Sequence, residues 1–205
     1  MRAIVPIVCA GLLAMLAGCG GGDGGGGGEV CDNAQCLTDE GWQLFEQGQY
    51  QNAIAKFNEA LTKDPAYADA YNGLGWSYAN LDSLNRALKK FGLCIANGMT
   101  TADPYAGCAP VYRDAGFITG YLDSGVWTDS TALAKDSDYE FSHDDTFDSD
   151  DLHLILAQCY YRLGRYLDAK AEVELLGGPV LDPQDEDFEE DLAAAIQDLE
   201  ASIGG

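Results

Sequence analysis

The sequence predicts an all-α protein, a right-handed α-solenoid of paired helices closed by a C-terminal capping helix. Three observations predict it. Sliding the chain by 34 residues superposes small residues on small and large on large. Apolar residues recur at helical spacing through most of the chain, and alternating strand-like runs are nearly absent. The 205 residues are 47% hydrophobic, which provides a core and excludes global disorder. Eleven basic against 34 acidic side chains leave a formal charge of −23. Nucleic-acid binding needs Lys and Arg to displace condensed counterions, so no nucleic acid is expected as a partner.

Met1–Arg2 open the chain with a positive charge, and Ala3–Leu16 is an apolar run of fourteen residues. A bilayer span needs about 20, so the run fits the core of a signal peptide. It closes on Leu16-Ala17-Gly18-Cys19, which resembles the lipobox of bacterial lipoproteins. The resemblance implies that residues 1–18 are a signal peptide and that Cys19 is the lipid attachment point. It also implies a lipid bilayer as a partner, through several acyl chains at about 0.8 kcal/mol per buried CH₂. Gly20, where Asp would direct otherwise, implies the cell envelope, at the outer membrane facing the periplasm. Residues 19–30 join this Cys to a Gly-rich linker. Its stretch Gly20–Gly28 holds eight Gly and one Asp, a flexible coil with a reach of about 16 Å.

The domain proper spans 31–203. In an oxidising compartment its thiols are candidates for bridges. Cys31 and Cys36, five residues apart before the first helix, are the expected disulfide. Thr38 and Asp39 are the candidate caps of that helix. Cys94 and Cys108 could pair across a helix–helix loop, and Cys159 falls on a helix face expected to be buried.

Residues 34–67 hold Gly41-x-x-Leu44-Phe45, Gly48-x-Tyr50, Ala53-Ile54, Phe57, Ala60-Leu61 and Asp64-Pro65. Residues 68–101 hold Tyr71, Leu74-Gly75-x-x-Tyr78, Leu84, Ala87-Leu88, Phe91 and Cys94-Ile95. The motif and its 34-residue period resemble the tetratricopeptide (TPR) repeat, a pair of antiparallel helices. Gly41, Gly75, Ala53 and Ala87 let helix backbones approach while aromatics fill the gaps beside them. Residues 150–183 fit the same template through Leu156-Ala157-x-x-Tyr160-Tyr161, Gly164-x-Tyr166, Ala169, Val173 and Leu176. Between them, 102–149 is a degenerate unit lengthened by about fourteen residues. Pro104–Asp123 reads as its first helix, Asp129–Lys135 as a short second, and Ser137–Ser149 as the insert. Phe188, Leu192, Ile196 and Leu199 make 187–203 a capping helix with a polar outer face, which stacked repeats require.

Catalytic motifs are missing, with neither a G-x-S-x-G nor a phosphate loop nor an H-E-x-x-H, so the chain is not expected to be an enzyme or to need a cofactor. His153 has no nucleophile beside it and reads as packing. The stretch 136–151 carries eight acids and no Lys or Arg. Asp136-x-Asp138-x-Glu140 begins like a calcium loop, but Phe141 and Phe147 stand where such a loop needs Gly and a bidentate Glu. No metal site is expected. Asp144, Asp145, Asp148 and Asp150 remain the weaker alternative, that of a cation- or small-ligand-binding envelope lipoprotein. The favoured reading of the insert is a solvated loop whose Asp148 or Asp150 caps the next helix. A different possibility is that Phe141, His143 and Phe147 fold it back onto the solenoid.

The resemblance to TPR proteins implies a concave groove lined by the first helix of each unit and a protein or peptide partner. Its lining maps to Trp42, Phe45, Glu46 and Gln49, then Asn72, Trp76, Ala79, Asn80 and Ser83, then Gln158, Tyr161, Arg162 and Arg165. Two Trp in register on a polar stripe suit an extended peptide, although helix packing also uses Trp. The family's clamp for chaperone C-terminal carboxylates uses Lys and Asn on successive first helices. No Lys stands on this stripe, so that partner class is not expected.

Overall fold

Each predicted helix pair is present in the computed structural model, which describes residues 31–115 and 119–203. The signal peptide, Cys19 and the Gly-rich segment lie outside the described residues. Among those described there are nine helices. α1 (Ala34–Glu46) pairs with α2 (Tyr50–Lys63), α3 (Ala68–Ala79) with α4 (Leu84–Ala96), α5 (Asp103–Asp114) with α6 (Thr119–Lys135), and α7 (Ser149–Arg162) with α8 (Tyr166–Leu175). α9 (Phe188–Ile203) closes the series against α7 and α8. The first helices stack in order, α1 on α3, α3 on α5, α5 on α7, which is the TPR-like architecture.

The repeat is written in close contacts between glycine and phenylalanine. A Cβ on Gly41 or on Gly73 would fall 2.5 or 2.2 Å from the Phe57 ring, and one on Gly75 or Gly107 would fall 2.4 or 2.3 Å from Phe91. Each ring is fully buried between glycines of two successive first helices. The period therefore records a ring that one unit supplies and its successor also grips.

Turns obey the same period. Gly48 and Gly164 adopt positive φ of 70° and 71° at the ends of α1 and α7. There Gly48 N donates to Phe45 O and Gln49 N to Leu44 O, while Gly164 N donates to Tyr161 O and Arg165 N to Tyr160 O. This paired bonding satisfies the last carbonyls of each helix and needs a left-handed residue. In the second unit that residue is Asp82, at φ 52°.

Three expectations need correction. α1 starts at Ala34, four residues before Thr38, because the Asn33 side chain accepts from Cys36 N and caps it. Thr38 is buried within that helix. The degenerate unit divides between Asp114 and Thr119, so its first helix is shorter and its second longer than the sequence pattern suggested. Cys94 and Cys108 are free buried thiols rather than a bridge; burial pushes both, and Cys159, up to about 12. Cys31 and Cys36 are joined, with 5.5 Å between their Cα atoms.

Candidate functional site

Acidic composition argued for a solvated insert, but residues 139–147 lie on the first helices. Tyr139 and Phe141 are 3% and 1% exposed and belong to the main core. The segment turns back on itself: Glu140 bridges Asp148 in antiparallel fashion, Phe141 N donates to Phe147 O, and Asp144 N donates to Phe141 O. Asp148 accepts from Asp150 N and Asp151 N to cap α7, while Asp151 accepts from Asp148 N in return. Asp144 accepts from the Thr146 backbone and hydroxyl. The carboxylates raised as calcium ligands are thus partly spent on turn and cap. Among the described residues no three His, Cys, Asp or Glu side chains converge as for a metal ion.

Beneath the insert lie the two tryptophans. Phe141 stacks on Trp76 with centroids 4.0 Å apart and planes at 18°, and His143 stacks on Trp42 at 3.8 Å and 3°. Phe147 meets Trp76 edge-on at 5.4 Å, and Phe45 meets Phe141 at 6.0 Å. Polar anchors frame the rings. The His143 ring Nδ1 lies 2.9 Å from Glu46 Oε1, and the Tyr139 hydroxyl donates to Asp103 Oδ1 at 3.2 Å. Trp42 Nε1 donates to Asp69 Oδ2 at 3.2 Å, and burial holds the Asp69 carboxyl above its ordinary value despite that bond.

An open groove at Trp42, Phe45 and Trp76 is therefore corrected: these side chains are 4%, 3% and 5% exposed because the insert covers them. Asn72 is buried, and the Asn80 amide donates to Trp76 O. Gln49 is exposed beyond α1, bonded to Gln47 and Asn52. On α7, Gln158 is buried and the Tyr161 hydroxyl donates to Glu189 O on α9. Arg165 pairs with Asp168 at 2.7 Å and lies over the Tyr160 ring, whereas Arg162 is exposed and forms no ion pair among the described residues. His153 is held 2.7 Å from Glu172, a packing and pairing role.

Asp69, Asp103 and Tyr139 were missed by the sequence reading. A signal for the last existed: Tyr139, Phe141 and His143 alternate with polar residues, which places three rings on one face of an extended segment.

Paired helices stacked in register, with an extended segment on the face of the first helices, define a TPR-like solenoid. Residues 41–82 match the TPR repeat family. The Hsp70-Hsp90 organising protein of Plasmodium falciparum is 32% identical over 65 residues, 32% of this chain and 26% of that protein, so the chain spans about a quarter of its relative's length. Among the crystal structures that share the fold are two TPR proteins. YrrB, described as a TPR protein with an unusual peptide-binding site, superposes with a TM-score of 0.61 at 16% identity, covering 83% of this chain and 78% of that one. TTC0263, a thermophilic TPR protein of Thermus thermophilus, gives 0.56 at 21% identity, with 83% of each chain covered.

Proposed function

We propose that the protein is a membrane-anchored scaffold that binds a protein or peptide in the cell envelope through the face formed by its first helices. The observation that carries this reading is the docked insert. A face that seats an extended segment of its own chain on stacked aromatics has the shape and chemistry to seat another. By repeat register Tyr161, Arg162 and Arg165 continue that face toward the C-terminal end, and Arg162 is exposed there.

The anchoring half of the proposal rests on Leu16-Ala17-Gly18-Cys19 and the apolar run before it. No helix among the described residues is long and apolar enough to cross a membrane. The likeness to a chaperone-organising protein does not bring its partners here, because the carboxylate-clamp lysine has no counterpart on the stripe.

Two measurements test the reading. A photo-crosslinking residue at Arg162 in the full chain should capture a discrete envelope protein, whereas one at Leu167, 64% exposed on α8, should capture none. Capture at Leu167 alone would overturn the face assignment. Cys19→Ser should abolish lipidation and move the protein to the soluble fraction; retention in the membrane would overturn the anchor.

A further inference from the structure

The rings of residues 139–147 fit their seat, and the charges do not. Phe141, His143 and Phe147 stack or pack edge-on against Trp42 and Trp76. Yet Asp136 to Asp148 bears six carboxylates and no Lys or Arg. The acids in the seat itself are Glu46, Asp69 and Asp103, which contact His143, Trp42 and Tyr139. Apart from the His143–Glu46 pair, the insert brings only carboxylates to an acidic seat, a charge balance that weakens the docking the rings favour. At the tip, a cavity of about 420 Å³ opens between Phe45, Glu46 and Tyr50 of the solenoid and Ser142–Asp145 of the insert, with no Lys or Arg in its lining.

We propose that residues 139–147 are a built-in ligand that keeps this face closed, and that the external partner is a cationic protein segment carrying two aromatic side chains, which displaces it. The proposal rests on the scaffold reading and adds the partner's chemistry and its regulation. A cationic competitor reproduces the two stacks on Trp42 and Trp76 and brings full positive charge to Glu46, Asp69 and Asp103, where the built-in segment offers only the His143 ring and the Tyr139 hydroxyl. It competes against a tethered ligand whose effective concentration is high, so the closed protein binds it weakly. Loosening the insert unmasks the affinity.

Two synthetic peptides of the 137–149 sequence test this, one native and one with every acid replaced by lysine. Each is titrated into the full chain and its His143→Ala and Phe141→Ala variants, read by tryptophan fluorescence and by anisotropy of a label on the peptide. His143 is only half-buried, so its variant keeps the core filled; circular dichroism checks helix content in both. The lysine peptide should bind His143→Ala at least tenfold more tightly than wild type, and added salt should weaken that binding. The native peptide should bind both more weakly. Equal affinity of the lysine peptide for wild type and folded His143→Ala would overturn the closing role. Tighter binding of the native peptide would overturn the partner's charge, and binding of neither peptide to any folded variant would overturn the proposal outright. In that last case a partner still crosslinked at Arg162 would leave the scaffold reading standing. Tight lysine-peptide binding with no envelope partner would sink the scaffold reading alone.

Discussion

Asp129 occupies, one repeat period on, the place that Leu61 and Ile95 hold in the first two units. It is fully buried on α6, and neither carboxylate oxygen has a hydrogen-bond partner among the described residues. Burial raises its proton affinity well above the ordinary value of 3.8; Arg113 opposes that shift and Glu172 adds to it. The folded state therefore keeps this proton to a higher pH than the unfolded chain does. Asp129 leaves stability unchanged below that ordinary value, and stability is lost as pH rises from there toward the raised folded-state value. Asp129→Asn should stabilise the protein by about 1–3 kcal/mol near neutrality. Its advantage over wild type, measured in urea, should shrink toward zero near pH 4. An advantage independent of pH would show that ionisation is not the cause. Asp82 is a second local conflict, a left-handed residue with a Cβ where the matching turns have Gly48 and Gly164. Asp82→Gly should raise the thermal midpoint, by relieving about 1 kcal/mol of backbone strain.

Helices of this chain differ in what a glycine does for them. Gly75 lies under Phe91, and an added Cβ would meet the ring at 2.4 Å, whereas Gly92 on α4 has nothing within 4 Å. Ala favours a helix interior by about 1 kcal/mol over Gly. Gly92→Ala should accordingly stabilise by up to about that amount, and Gly75→Ala should destabilise by about 1–3 kcal/mol through overpacking. Chemical denaturation of the two variants checks both signs. Much at this scale was legible in sequence. The 34-residue period, the small residues at 41, 53, 75 and 87 and the aromatics at 57 and 91 report an obligatory packing geometry, which composition cannot imitate. The bounds of α5 and α6 were less legible, because Gly125 stands where the period places the rings of Phe57 and Phe91 in the first two units. The insert misled for a different reason. Eight acids in sixteen residues read as a solvated stretch, and the stacking of Phe141 and His143 depends on Trp76 and Trp42, far away in sequence.

At the scale of the whole molecule, a formal charge of −23 sets a background of self-repulsion. Raising NaCl from about 20 to 500 mM shortens the Debye length from roughly 20 to 4 Å and should raise the thermal midpoint. A flat response would mean that local pairs such as Lys56–Glu40 and Lys170–Glu174 already offset it. In a stack of repeats each unit touches only its neighbours, so the ends come undone first. Here the insert of the third unit grips Trp42 and Glu46 of the first, 97 residues from His143 to Glu46 along the chain. That clasp makes a loop of what would be a line. The amino-terminal helix cannot peel away without also pulling the third unit apart, and only the far end, α8 and α9, is left to fray. Amide exchange should then be slower in α1 than in α9, the reverse of two equally free ends, and a pulling force applied at Cys31 should meet resistance until the clasp gives way.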